Sequence, residues 1–565
     1  APRRAEPGAE VLDRVKERLN KEINQFLAAK NPLNQMQLQL LARAYHVKWT
    51  PAYQNPAVVQ TAVRGLDALA ITYRTNKEIA HAGPATYNPE WFGLGPCGDV
   101  LHLLREPIQP LLNVKIDAAD QASPDRKTAY ADMLVESRDW HTRHRRLYTN
   151  QSMINDLYIF AAHRGVAAVD PSRAKSDQEM LRYLHESIGL EPWLGSETDN
   201  GPEKPVGDKY YQLTKKGLSR ELGYVGYYGE VLDWVAQIYD VTRPAVGKPG
   251  DSRIAAQLAK IALARAVFRY PTLDADGNRA MRIEAIVGWR DAHYPGNVVY
   301  AQRSSWDASA AQVAADTLEP KLVAFVHQMF DDNQFFKSVD DQLRGGGLRI
   351  TAGLLGVPDQ YESIKAQPKT NVRLPMTPGQ PDFVFSDEED GVVAVKNGDD
   401  ILYVSLYWRA RNAVNFLARV HYMTPTMDRI AVVRQETQLQ PSGQTYTRPD
   451  HINFGFANGG LKYPGEVHSA HAGEKLPIAK VPADVKFAPG RENVYAGKGD
   501  FYTCSYGPYV IAMNCSKDKD FQFRAPDTKN VVNLATREPV SSGASLKVPA
   551  GTTIVLYTRT AATKN

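Results

Sequence analysis

The sequence predicts an α+β chain in which a helical N-terminal domain is followed by an all-β domain. Apolar residues recur at helical spacing through about the first 350 residues. After a run of three glycines at 345–347 the residue pattern changes, and short β-branched and aromatic runs follow from about residue 380. We therefore expect a helical domain over 1–355, a linker over 356–380 and a β domain over 381–565.

Amphipathic patterns predict the individual helices. Between residues 9 and 30, apolar side chains alternate with charged ones at helical spacing, as in Val11, Val15, Leu19 and Ile23. The same pattern predicts further helices at 33–46, 57–79, 97–115, 126–147, 150–169, 173–188, 217–239, 251–269, 309–332 and 338–355. Such a series is typical of a bundle, a solenoid or a toroid of helical hairpins, and the lack of a visible fixed-length repeat argues against a regular solenoid.

Strand patterns occupy the C-terminal domain. Clear runs lie at 392–396, 401–407, 430–433, 509–513 and 553–557, separated by Gly, Asp and Asn turns. Short runs of this kind predict an antiparallel β-sandwich. In the same region, Cys504 and Cys515 are close enough for a hairpin-spanning disulfide, and two buried free thiols are the equal alternative.

Composition narrows the class of protein. The chain has 565 residues, which is enough for more than one core, and no apolar run approaches the about 20 residues of a membrane span. The net charge of +4 is too weak for a general nucleic-acid binder but fits a local cationic cleft for a polyanion. The opening at Ala1 without Met fits a mature chain after signal-peptide removal, so we expect a secreted or periplasmic protein.

Metal ligands are not evident in the sequence. It contains no CxxC pair and no His-rich cluster at ligand spacing, so a structural zinc site is not expected. No cofactor is indicated, and a structural calcium ion and the oligomeric state are left open.

The richest segment for chemistry is GWRDAHYPG at 288–296. Arg290 can grip a carboxylate in a bidentate way, His293 can transfer protons near neutrality, and Tyr294 can act as a proton donor or, at a lowered pKa, as a base. Trp289 offers an aromatic face to a substrate. The alternative is a polar loop with Tyr294 packed on the core.

A second segment, LYTNQSMIND at 147–156, carries two amides. Asn150 and Gln151 can donate hydrogen bonds to a substrate carboxylate without titrating. The alternative is structural, because Thr149 or Asn150 could cap a helix that begins at Ser152.

Three further segments supply substrate-binding candidates. In WHTRHRR at 140–146, Arg143 and Arg146 could hold an anionic chain, although a solvated helix face is the alternative. Tyr211 and Tyr227 lie in tyrosine-rich and glycine-rich stretches that could stack on sugar rings or pack helices closely. His451 lies in the turn-rich stretch RPDHINFG at 448–455, which could overhang a cleft.

Three stretches resemble the polysaccharide lyases built on a helical toroid with a trailing β-sandwich, most closely polysaccharide lyase family 38. They read TNQSMIND, LTKKGLSRELGYVGYYGEVLDWV and NRAMRIEAIVGWRDAHYPGNVVYAQR. The resemblance implies an (α/α) toroid catalytic domain, an incomplete barrel of helical hairpins, before the sandwich. It also implies β-elimination on a uronic-acid polymer such as glucuronan or alginate, without a cofactor and with 4,5-unsaturated uronate ends.

This elimination needs a partner for the uronate carboxylate, a base for the C5 proton and an acid for O4. We expect Asn150 to be the residue that binds and neutralises the uronate carboxylate, with Arg290 and His293 as alternatives. In β-glucuronate or β-mannuronate the C5 hydrogen and O4 share one face, so Tyr294 could serve as both base and acid, with its pKa lowered by Arg290 and His293. Tyr300, Tyr227 and Tyr211 are the alternative candidates for this base and acid.

The sequence departs from the toroid lyases in its histidines. Those enzymes often place a catalytic histidine between the asparagine and the tyrosine. Here, apart from His293, only His163 and His185 lie between Asn150 and Tyr294, and both fall in predicted helices.

Two rival functions use the same residues. A glycoside hydrolase on a similar toroid needs two carboxyl groups about 5 to 10 Å apart, for which Asp291 and Glu230 can be nominated. A non-catalytic protein could instead bind oligosaccharide with the same aromatics and arginines.

Overall fold

A computed structural model describes residues 8–82, 89–220, 230–273, 279–284, 309–407, 413–447, 473–488 and 493–558. The chain divides into two compact units. Unit 1 comprises Ala1–Lys204, Gly229–Ala262 and Ser304–Val372, and unit 2 comprises Pro205–Tyr228, Leu263–Arg303 and Arg373–Asn565. Each unit is therefore assembled from segments that are separated in sequence.

Helices dominate the described residues of unit 1. In chain order they are α1 Gly8–Leu27, α2 Gln35–Ala44, α3 Pro56–Thr75, α4 Ile79–Ala82, α5 Pro89–Phe92, α6 Gly95–Leu103, α7 Arg105–Ile108, α8 Arg126–Thr142, α9 Thr149–Val169, α10 Asp177–Ser187, α11 Glu230–Val241, α12 Ser252–Ala266, α13 Ser309–Thr317, α14 Pro320–Asp331, α15 Gln334–Arg344, α16 Leu348–Leu354 and α17 Val357–Lys365. The last residues of α12 belong to unit 2. Most of the predicted helical ranges therefore contain a helix, although their ends differ.

Helix α9 lies at the centre of this arrangement. It contacts α6, α8, α10 and α11, and nearly all of its residues are buried. Glycines permit the close approach of α6, because a Cβ on Gly98 would overlap the backbone of Ala161 and one on Gly165 would overlap Gly98. The two helices therefore meet backbone against backbone, and their relative position leaves no space for larger side chains at these points.

Several predicted helices differ from the observed ones. The helices predicted over 97–115 and 338–355 are each divided, into α6 and α7 and into α15 and α16, and the helix predicted over 126–147 ends at Thr142. Two further differences have identifiable reasons. The helix predicted over 309–332 is divided into α13 and α14, because Leu318 has a φ of 51° and Glu319 caps α14 by accepting the backbone N–H of Leu322 at 2.8 Å. The helix predicted over 251–269 ends at Ala266 and is followed by a strand, Arg269–Leu273, that the periodicity did not reveal.

Antiparallel sheets form the described part of unit 2. One sheet has the order β3–β4–β5–β6–β7, with strands Phe383–Asp387, Val392–Asn397, Asp400–Ser405, Leu417–Thr424 and Met427–Arg434. Another has the order β15–β14–β17–β12–β11–β8, with strands Pro539–Val540, Val531–Asn533, Thr553–Thr558, Tyr509–Asn514, Phe501–Tyr506 and Glu436–Gln438. Three two-stranded pairs complete the set: β1 Arg269–Leu273 with β2 Arg279–Ile283, β9 Pro441–Thr447 with β10 Lys475–Ala479, and β13 Phe521–Arg524 with β16 Ser545–Val548.

Side chains of both large sheets share one apolar core. Val395, Leu402 and Val420 of the five-stranded sheet are buried in the same cluster as Ile511 and Met513 of the six-stranded sheet. The period-two spacing of these residues within their strands places them on one face. The α+β class predicted from the sequence is confirmed.

The two cysteines of the second sheet are free thiols. Cys504 lies in β11, where it pairs with Ile511, and Cys515 follows β12. Burial raises the pKa of both thiols to about 12. Of the two alternatives for this pair, the structure contains the free thiols, which behave as small apolar groups.

No helix among the described residues is long and apolar enough to cross a membrane.

We expect Leu402→Ala to lower the free energy of unfolding by about 2 to 5 kcal/mol, because it leaves a cavity in the shared core. Urea unfolding followed by circular dichroism measures this change. Leu273→Ala is the matched control, since Leu273 is 64% exposed and its truncation should change stability by less than about 0.5 kcal/mol. Equal unfolding midpoints for the two variants would contradict the shared core.

Candidate functional site

The turn between α8 and α9 brings several predicted residues into one short stretch. Arg143 and Arg146 lie in the turn, and Asn150 and Gln151 lie in the first turn of α9. Asn150 is only 6% exposed. The beginning of a long helix carries a partial positive charge, so this stretch combines amide donors, guanidinium groups and a favourable dipole for an anion.

The capping role considered for Thr149 and Asn150 is wrong. Helix α9 begins at Thr149, and its N-cap residue is Tyr148, whose side chain makes no capping hydrogen bond. The first intrahelical bond runs from the Ser152 N–H to the Tyr148 carbonyl at 2.7 Å. Asn150 is therefore a helical residue, and capping does not explain the presence of an amide at this position.

A buried arginine fixes this turn. The Arg145 side chain is 1% exposed, and its Nε and Nη2 donate to the two oxygens of Asp156 at 3.0 and 2.8 Å. Its Nη1 donates to Glu186 and to the Gly195 carbonyl. Burial alone would lower the pKa of Arg145, but the charges of Asp156 and Glu186 outweigh it and raise that pKa above its ordinary value. The guanidinium thus stays charged and joins the turn to α9 and α10.

Further contacts surround the Arg145 guanidinium. The rings of Tyr183 and Trp193 lie 4.9 and 5.5 Å from it, within the range of cation–π attraction. Ser152 donates to Asp156 at 3.2 Å, which ties the first turn of α9 to the same network. The sequence pointed to the neighbouring Arg143 and Arg146 but not to Arg145, because charge alone does not distinguish a buried arginine from an exposed one.

Asn155 is a second residue that the sequence analysis missed. It lies four residues after Gln151 on α9, hence on the same helix face, and it is fully buried. Its Nδ2 donates to the Trp91 carbonyl at 3.4 Å, while its Oδ1 has no hydrogen-bond partner among the residues that the structure describes. A buried acceptor without a partner costs about 1 to 3 kcal/mol, so this oxygen requires an explanation, and a bound ligand is one.

An open cavity of about 660 Å³ lies beside Arg143. Its lining carries charges of both signs, from Arg143, Lys175, Arg182, Asp139, Glu179, Glu197 and Asp199. Lys175 pairs with Glu179 at 3.0 Å, and Arg182 pairs with Glu197. Arg143 has no ion pair among the described residues and is exposed, so it is the lining cation best placed to attract an anion.

The two helical histidines already have carboxylate partners. His163, on α9, is fully buried, and its Nε2 lies 2.8 Å from Asp177 Oδ1. His185, on α10, lies 3.5 Å from Asp251 Oδ2, and burial lowers its pKa. These contacts orient both imidazoles through one ring nitrogen.

The remaining predicted residues divide into two groups. Tyr211 is 36% exposed and stays a stacking candidate. Outside the described residues lie Tyr294, His293, Arg290, Trp289, Tyr227 and His451. Within the described part of the chain, no group of three or more His, Cys, Asp or Glu side chains is arranged to hold a metal ion.

The sequence was compared with models of known protein families and with curated proteins. No model of a known protein family matches the sequence, and no curated protein matches it. The likeness to the toroid lyases therefore depends on the three stretches quoted above, and function is argued from the residues and their geometry.

We expect Arg145→Met to lower the free energy of unfolding by about 3 to 5 kcal/mol, because it leaves the buried carboxylates of Asp156 and Glu186 without a cation. Arg143→Met, two residues away on the exposed side of the turn, is the matched control and should change stability by less than about 0.5 kcal/mol. Thermal or urea unfolding measures both. Similar losses in the two variants would show that the buried network is not what fixes the turn.

Proposed function

We propose that the protein is an exported polysaccharide lyase that cleaves a uronic-acid-containing polysaccharide of the glucuronan or alginate type by β-elimination. In this proposal the helices form an (α/α) toroid and the sheets a β-sandwich, and no cofactor takes part. The observation that carries the proposal is the position of Asn150, a buried amide in the first turn of α9 that does not serve as the helix cap.

The carboxylate of the uronate is the first group to be recognised. Asn150 donates its amide hydrogens to this carboxylate, and the positive end of α9 favours negative charge at the same place. Both effects grow as the C5 proton leaves, because charge then accumulates on the carboxylate oxygens of the enolate-like intermediate. Asn150 thereby makes the C5 proton more acidic without changing its own protonation state.

Proton transfer is assigned to Tyr294. Its phenolate takes the C5 proton, the electron pair of the C5–H bond forms the C4–C5 double bond, and the C4–O4 bond breaks. The same phenol returns the proton to O4, so Tyr294 ends the cycle as it began. Arg290 and His293 are the nearby cations in sequence that would lower the pKa of this phenol.

The remaining polar groups are assigned to the neutral and charged parts of the polymer. Gln151 and Asn155 lie on one face of α9, and the Asn155 Oδ1 can accept a hydrogen bond from a sugar hydroxyl. Arg143 and Arg146 attract the other carboxylates of the chain. Tyr211, Tyr227, Trp289 and His451 are kept as substrate contacts on the strength of their residue types.

The reaction class predicts a new ultraviolet absorbance. Glucuronan, polymannuronate, polyguluronate and hyaluronan are each mixed with the protein, and we expect absorbance from the unsaturated uronate to rise on at least one of them. Tyr294→Phe should abolish the rise while binding of the polymer persists. Reducing ends without absorbance would indicate a hydrolase, and binding without any product would indicate a binding protein.

We expect Asn150→Ala to lower kcat by about a hundredfold to a thousandfold, since it removes a donor that acts on developing charge. Asn150→Asp should be at least as harmful, because it places a carboxylate against the uronate. Gln151→Ala is the neighbouring control and should raise KM more than it lowers kcat. An Asn150→Ala variant with the kcat/KM of the wild type would contradict the assignment, provided that its unfolding midpoint is unchanged.

A further inference from the structure

A buried charged cluster in unit 2 joins β2 to the five-stranded sheet. Glu284 follows β2 directly, is fully buried, and donates its backbone N–H to the Phe268 carbonyl at 2.8 Å. His421 of β6 is also fully buried, with Nδ1 3.5 Å from Glu284 Oε1 and Nε2 2.9 Å from Asp428 Oδ1. The imidazole therefore lies between two carboxylates, of which Asp428 is half exposed.

The cluster holds a charge in the interior. Burial alone would lower the pKa of His421, but the hydrogen bond with Asp428 and the negative charge of Glu284 outweigh it and raise that pKa to about 9. His421 is thus an imidazolium at neutral pH. Among the described residues, the ring edge of Tyr270 lies 5.2 Å and the ring of Tyr403 lies 6.3 Å from the His421 ring, and the charge of Arg282 acts on Asp428.

Packing a β-hairpin does not require such a charge. Removing charged groups from water is costly, and apolar side chains of similar volume commonly stabilise a fold as well or better. The cluster lies where the chain leaves β2 for the segment with the richest chemistry in the sequence. Glu284 precedes Arg290 by six residues and Tyr294 by ten.

We propose that Glu284, His421 and Asp428 are positioning residues for the elimination reaction: they fix the chain at the end of β2, from which it continues to Arg290, His293 and Tyr294. This inference rests on the proposed function. None of the three residues is assigned a contact with substrate. Their effect is to hold one end of the catalytic segment through an ion pair in which the His421 and Glu284 side chains are fully buried.

Because His421 titrates, the effect of the Glu284–His421–Asp428 cluster depends on pH and weakens as the pH rises. The pKa of His421 is raised from its ordinary value of about 6.5 to about 9. The ion pair is therefore fully present below about pH 6.5 and is lost as the pH rises through about 9. The rate should therefore fall on the alkaline side as His421 loses its proton. Asp428→Asn removes one of the two carboxylates, lowers the pKa of His421 and moves this alkaline limb to lower pH.

The experiment compares three variants. Asp428→Asn changes a half-exposed residue and should fold normally, whereas Glu284→Gln removes the buried carboxylate with its shape kept. Asp177→Asn is the matched control, because Asp177 is likewise a largely exposed aspartate bonded to a fully buried histidine, His163, at 2.8 Å. For each protein, kcat and KM are measured against pH by the ultraviolet absorbance of the product, and backbone hydrogen exchange of Glu284 and β2 is measured by mass spectrometry.

We expect Glu284→Gln to lower kcat by about tenfold or more, with KM within about twofold of the wild type, because misplacing a reacting group impairs catalysis more than binding. Asp428→Asn should shift the alkaline limb downward by about one pH unit. The Glu284 amide should exchange faster in both variants, and Asp177→Asn should behave as the wild type throughout.

Two results would overturn the inference. If the Glu284 amide exchanges faster in the variants but kcat keeps its pH profile, the cluster only stabilises the fold. If the exchange rate of this amide is unchanged, the cluster does not hold the chain at Glu284. If the wild type forms no unsaturated product on any polymer, the proposed function fails, and the exchange measurement by itself decides whether the cluster fixes this point of the chain.

Discussion

The buried ion pair between Arg145 and Asp156 is the constraint on which the candidate site depends. A guanidinium in the interior must satisfy its donors, and Asp156, Glu186 and the Gly195 carbonyl supply the acceptors. These partners come from α9, from α10 and from the chain after it, so Arg145 ties the turn to all three. The burial of Asn150 and the exposure of Arg143 follow from the position of that turn.

The same principle recurs in unit 2 with a titratable cation. His421 lies between Glu284 and Asp428 as Arg145 lies between Asp156 and Glu186, but an imidazolium loses its charge in an accessible pH range, whereas a guanidinium does not. In both places a buried charge lies a few residues from a segment rich in polar side chains. Both arrangements are costly in desolvation, which supports a role in holding those segments beyond general stability.

Much of the fold was accessible from local patterns. Helical periodicity predicted most helices because each buries one stripe of apolar residues, and short β-branched and aromatic runs predicted strands in both large sheets, namely β4, β5, β7, β12 and β17. The errors have long-range causes. Residues 269–273 form a strand since Tyr270 packs against Tyr403 and His421, contacts that no local window contains.

The sequence by itself determined the α+β class, the apolar faces of the elements and the stretches in which amides, arginines and tyrosines are concentrated, because these depend on residue type and spacing. The tertiary structure decided which member of each stretch is buried and what it bonds. It separated Arg145 from Arg143, left the Oδ1 of Asn155 without a described partner, and placed His421 beside Glu284. Burial and pairing arise from contacts between residues distant in the chain, and these set the electrostatic character of a side chain.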